Sequence, residues 1–123
     1  MLIGMVLAKD KETIVPIVDG EIARIYNLES GEIIDSPNPA REVSEGKRGA
    51  TVKWMVQNDV KVLCAPPGTL CELSYSRAQT ENLNFCRVDP GTSFSSLKSH
   101  IENGELRIVD SLPNNEIELS AKK

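Results

Sequence analysis

The run Lys61-Val62-Leu63-Cys64-Ala65, followed at once by Pro66-Pro67-Gly68, constrains this chain more than any other stretch. A short apolar segment stops abruptly at two prolines and a glycine. Beyond it, from Thr69 to Glu81, the spacing turns helical, with Leu70, Leu73 and Ala78 near one face. A strand that feeds directly into a helix is the unit of an α/β protein. In open α/β sheets, ligands bind in the crevice beyond the carboxyl ends of such strands. A helix start adds unpaired backbone N–H groups and a positive dipole end. Two of the three cysteines, Cys64 and Cys71, bracket this turn.

The rest of the pattern extends that architecture. Leu2 to Ala8 is a nearly continuous apolar run, as expected of a strand buried on both faces. Lys9 to Glu12 reads as a charged loop. Ile14 to Val18 is short and apolar, but Pro16 argues against a central strand. Glu21 to Glu29 and Glu32 to Asp35, joined by Ser30-Gly31, read as a β-hairpin. Pro37-Asn38-Pro39 interrupts regular structure, and residues 40–47 read as loop. A helix is predicted over Gly49 to Asn58, with Val52, Met55 and Val56 on one face. A strand follows at Asn84 to Val88. Ser93 or Ser95 caps a third helix through Phe94, Leu97 and Ile101, ending at Asn103-Gly104. Glu105 to Asp110 alternates as an edge strand would. The order predicts an α/β fold: a mixed five-stranded sheet, antiparallel meander first and βαβα after it, with helices on both faces. Residues 1–110 read as one domain and 111–123 as a polar tail, whose last residues, 120–123, are expected to be disordered.

Composition narrows the function classes. A net charge of −4 argues against general nucleic-acid or membrane binding, which favours a basic face. Aromatics at 4% leave no base-stacking platform. The apolar start is too short to span a bilayer and lacks a basic segment before it. Three cysteines, unpaired in spacing, suit reduced thiols and a cytoplasmic location.

Five features carry possible chemistry. Cys64 and Cys71 lie across a strand-to-helix turn. A thiolate at a helix start suits a soft metal or cluster, whereas a lone Cys64 equally suits a small buried hydrophobe. Cys86, mid-strand, reads as core, and His100, the single histidine, as a surface residue. Pro67, Gly68 and Thr69 stand where backbone N–H groups hold an anion at a helix start, or where Thr69 simply caps the helix; no Walker lysine follows. Lys47 and Arg48, before Gly49, form a basic spot that either attracts an anion or decorates a loop. One histidine allows no Ser-His-Asp or Cys-His constellation, so no catalytic residue is assigned.

Several of these motifs in sequence resemble one family. Gly49-Ala50 opens a helix, Val60 to Leu63 forms a strand, and Pro67-Gly68 follows. Pro90-Gly91-Thr92 follows the next strand, and Asn103-Gly104-Glu105-Leu106 closes the last helix. With Ile25-Tyr26 and Ser30-Gly31-Glu32 in the hairpin, this order is similar to that of the dinitrogenase iron–molybdenum cofactor biosynthesis family, the NifX-like proteins, over residues 2–106. The resemblance implies a ribonuclease-H-like three-layer α/β/α sandwich and a role in binding or carrying iron–molybdenum or iron–sulfur type clusters. Members often carry a His-Phe-Gly-Arg-Ala-like element before the hairpin and a histidine before the first helix. Here Val18 to Ile22 and Lys47-Arg48 stand there, so neither histidine carries over. A ribonuclease-H-type nuclease needs carboxylates around divalent metals, and Leu2 to Ala8 holds none. The expectation is therefore a non-enzymatic carrier of an anionic metallocluster, docking at Arg48, Gly49 and the Cys64 to Cys71 turn. The alternative is an interaction or regulatory module of the same fold that binds a protein partner and no cluster.

Overall fold

The computed structural model describes residues 1–119, so the expected disorder of 120–123 lies outside the described residues. Leu2–Leu7 forms β1, buried along almost its whole length because it offers no polar side chain to either face. It sits in the middle of a five-stranded mixed sheet of order β3-β2-β1-β4-β6. On one side of β1 lies the hairpin of β2 (Ile22–Asn27) and β3 (Ile33–Pro37), antiparallel throughout. Its turn is closed by Asn27, whose Oδ1 accepts from the N–H groups of Glu29 and Ser30, and by Gly31 at φ +77°. On the other side β4 (Val60–Ala65) and β6 (Asn84–Arg87) run parallel to β1. The predicted meander-then-parallel arrangement is the one found.

Among the described residues three α-helices cover the sheet, two on one face and one on the other. α1 (Lys47–Gln57) and α2 (Glu72–Thr80) pack against Val6, Ile25, Leu63 and Phe85. α3 (Phe94–Glu102) covers Ile3, Met5, Tyr26, Val62 and Cys64 from the opposite side. Ser93 caps α3, its Oγ accepting from Ser96 N at 3.0 Å. Gly4 of β1 lets α1 approach: a Cβ there would lie 2.9 Å from Met55 Sδ. No helix among the described residues is long and apolar enough to cross a membrane.

Four expectations need correction. α1 begins at Lys47, not Gly49, because Gly46 takes the left-handed turn (φ +63°) that admits the chain to the helix. α2 begins at Glu72, not Thr69. Leu70–Cys71 instead forms a short strand, β5, which holds Leu70 fully buried and pairs parallel with β7 (Ile117–Glu118). The polar segment after Leu112 thus folds back: Gly68 N donates to Glu116 O at 3.0 Å, Leu112 N donates to the Tyr75 hydroxyl, and Arg87 pairs with Glu116. Finally, the edge strand expected at 105–110 reduces to a single bridge, Val109 exchanging both backbone hydrogen bonds with Phe85 at 2.8 Å.

Candidate functional site

The parallel strands β1 and β4 carry the chain to the same edge of the sheet, where β2 reverses direction beside β1. The chain leaves β1 for β2 on one side and β4 for β6 on the other, so the carboxyl ends of β1 and β4 flank a switch point, the place where an open α/β sheet leaves a crevice. Here the starts of α1 and α2 meet. They line one pocket of about 540 Å³, with the cap Gly46 and Lys47, Arg48 and Gly49 at the start of α1, and the cap Cys71 with Leu73, Ser74 and Arg77 of α2. Val18, Ser44 and Glu45 complete the wall.

The pocket is basic. Three cations face one carboxylate, Glu45, in the lining of an otherwise acidic chain. Lys47 directs its ammonium to the carbonyls of Val43 and Ala40, at 2.8 and 3.4 Å, which closes the preceding loop over the helix start. Arg48 is different: its Nε is buried and has no hydrogen-bond partner among the described residues. An orphaned guanidinium N–H is costly unless it meets an acceptor, so this donor is suited to an anion. The dipoles of two helix starts act in the same sense. Cys71 is the N-cap of α2. Its N–H donates to Ser74 Oγ at 2.9 Å, and its sulfur lies 3.3 Å from the same hydroxyl.

A buried polar knot fixes the pocket walls. Asn38, fully buried between two prolines, donates through Nδ2 to the carbonyls of Ile17 (2.8 Å) and Gly20 (3.0 Å). Its Oδ1 accepts from Thr51 Oγ1 of α1 at 2.6 Å and from Ala40 N at 3.2 Å. One side chain thereby ties the loop bearing Val18 to the helix bearing Arg48.

The structure separates the residues singled out from sequence. Arg48, Gly49 and Cys71 come together in the pocket. Cys64 does not join them: strand alternation turns it to the α3 face, fully buried beside Cys86. A Cys64–Cys71 ligand pair is therefore corrected by the parity of β4. Donating a hydrogen bond to Cys86, together with burial, pushes the Cys64 thiol well above its ordinary pKa, which keeps it protonated and a poor metal ligand. Thr69 does not cap a helix; its Oγ1 accepts from Ile17 N at 3.2 Å. Gly68 has its N–H committed to Glu116, and Pro67 has none, so the Pro67-Gly68-Thr69 turn is no anion cradle at a helix start. Thr69 instead lines a separate void of about 10 Å³. No group of three or more His, Cys, Asp or Glu side chains gathers to hold a metal ion among the described residues. The sequence pattern marks Asn38 only as part of a break and gives Arg77 no site role. Arg77 stands four residues after Leu73, on the same helix face, and Asn38 before Pro39 is a helix-capping signature.

Fold and site together define a small mixed α/β domain with a basic pocket at its switch point. Neither a family model nor a curated protein matches the chain. Solved structures do match. One is the apo form of the orange protein from Desulfovibrio gigas, with a TM-score of 0.72 and 9% identity, covering 88% of this chain and 92% of that one. Another is a NifB-like protein from Thermotoga of the DUF35 family, solved by NMR, with a TM-score of 0.66 and 17% identity over 92% and 97% of the two chains. At such identities the likeness establishes a common fold.

Proposed function

We propose that this protein is a non-enzymatic, cytoplasmic carrier of an anionic metal–sulfur species of the iron–molybdenum or iron–sulfur type, seated between the starts of α1 and α2. The observation that carries the reading is one pocket that Arg48, Arg77 and Cys71 line together at the starts of two helices. The strand order and the three layers support a ribonuclease-H-like topology and a NifX-like kinship. The two structural neighbours support the same direction, one being NifB-like and the other described in an apo form, the term for a protein without its ligand.

The donor set defines the kind of cargo. An iron–sulfur cluster held by the protein alone takes about four thiolates, and this pocket supplies one cysteine. It fits a cluster that brings its own sulfide or other inorganic ligands. Guanidinium and backbone donors balance the charge, and Cys71 contributes at most one sulfur. Leu73, 73% exposed beside the pocket, favours a second reading in which the same face docks a protein and no cluster.

Anaerobic purification followed by reconstitution with iron, sulfide and molybdate separates the two. The carrier takes up metal and colour, and Cys71→Ser lowers the uptake. Unchanged metal stoichiometry and spectrum in Cys71→Ser removes that sulfur from the site. A colourless, metal-free protein that refuses reconstitution leaves the docking module.

A further inference from the structure

We propose that Cys64 and Cys86 form a reversible oxidation site, closing to a disulfide between neighbouring strands when the protein meets a small hydroperoxide. This site lies on the α3 face of the sheet and does not depend on the pocket or its cargo.

The geometry is a direct pairing. β4 and β6 are adjacent and parallel, and Cys64 stands opposite Cys86 in their register. Both side chains turn into the layer under α3, and both are free thiols. Neighbouring strands lie about 4.8 Å apart, inside the separation of about 4.4–6.8 Å between Cα atoms that a disulfide spans. Cys71, the N-cap of α2, belongs to the opposite face.

The two sulfurs are not equivalent. Cys64 is wholly enclosed, whereas Cys86 keeps 5% exposure near the end of β6. Cys86 accepts hydrogen bonds from the Cys64 thiol and from the backbone N–H of Arg107, which hold its pKa below the ordinary thiol value against the effect of burial. The more acidic and more accessible sulfur is the nucleophile. Its thiolate attacks the terminal oxygen of the hydroperoxide; the O–O bond breaks, and the other oxygen leaves with the proton that Cys86 released on ionising, as an alcohol, or as water from hydrogen peroxide. Cys86 is then a sulfenic acid. Cys64 attacks the Cys86 sulfur, the S–O bond breaks, and the hydroxyl departs as water with the Cys64 proton. Two thiols are oxidised by two electrons and one peroxide is reduced. A bridge across adjacent strands has little freedom to adopt relaxed torsions, so thiol reductants open it readily.

Full-length protein prepared under reducing conditions, treated with hydrogen peroxide while folded, tests this by intact mass and non-reducing peptide mapping. The wild type is expected to lose the mass of two hydrogens and to yield one linked peptide pair containing Cys64 and Cys86, both reversed by dithiothreitol. Cys71→Ser retains the link. Cys64→Ala halts at a Cys86 adduct one oxygen heavier, trapped by a sulfenic-acid reagent. Cys86→Ala loses both link and adduct, and circular dichroism of each variant verifies folding. The proposal is overturned if Cys64 and Cys86 stay reduced in the folded wild type, if they react only after unfolding in urea, or if the link involves Cys71.

Discussion

Replacing Asn38 with alanine is expected to cost this protein a large part of its stability. The side chain makes four hydrogen bonds, two donated to the carbonyls of Ile17 and Gly20 and two accepted from Thr51 Oγ1 and Ala40 N. Ala40 N keeps a second partner, Thr51 Oγ1 at 3.1 Å, so that loss is partly covered. The two carbonyls lose a donor inside a knot where Asn38 and Thr51 are both 0% exposed. At about 1–3 kcal/mol for each buried polar group left unsatisfied, the sum is about 3–5 kcal/mol. A domain of this size holds roughly 5–15 kcal/mol in total, so the variant is expected to melt about 12–19 °C lower. Urea titration at neutral pH gives the difference directly from the midpoint at constant slope. Asn38→Asp, nearly isosteric, exchanges both donors for a buried charge and is expected to do no better than alanine. A shift under about 1 kcal/mol for Asn38→Ala would show that the loop at Ile17 to Gly20 and the first turns of α1 are held by something else.

Two further outcomes follow from the charge distribution. Arg24 and Asp35 form a two-bond, part-buried ion pair at 2.7 and 2.9 Å, with the guanidinium 4.7 Å from the Phe94 ring centroid. The Arg24 hydrogen bond holds the Asp35 carboxyl below its ordinary pKa, so its stabilisation is complete above that ordinary value and is lost as pH falls below about 4. Asp35→Asn is expected to flatten the acid side of the stability curve, measured by urea midpoints from neutral to acidic pH; an unchanged acid limb would refute the assignment. In the pocket, Arg48→Met and Arg77→Met each remove a charged donor worth about 1.5–3 kcal/mol, so each is expected to weaken uptake of an anionic cluster about tenfold or more without changing the fold. Equal uptake in the double variant, read by metal analysis after gel filtration, would contradict electrostatic capture.

Much of the fold is legible in the sequence because β1 is apolar on both faces and the Ser30-Gly31 turn and the Ser93 cap act locally. The misreadings share one cause, long-range pairing. Nothing near Leu70 announces that Ile117 will draw it into a strand, yet that pairing moves the start of α2 by three residues, from Thr69 to Glu72, and with it the dipole end. The site was half legible. Arg48, Gly49 and Cys71 flank element starts and could be read from turn chemistry. The side on which Cys64 falls depends on register: it shares the parity of Val62, and only the packing of α3 shows that this face lies away from the pocket. Arg77 was hidden because a lone exposed arginine gains meaning only from what the neighbouring helix start brings beside it.

The most direct measurement is a backbone amide NMR map of the full chain before and after anaerobic reconstitution with iron, sulfide and molybdate. A carrier seated at the switch point shifts or broadens the amides of residues 46–49 and 71–74 and leaves those of β3 and α3 in place. Metal bound with those two segments unperturbed, or perturbation centred elsewhere on the sheet, contradicts it.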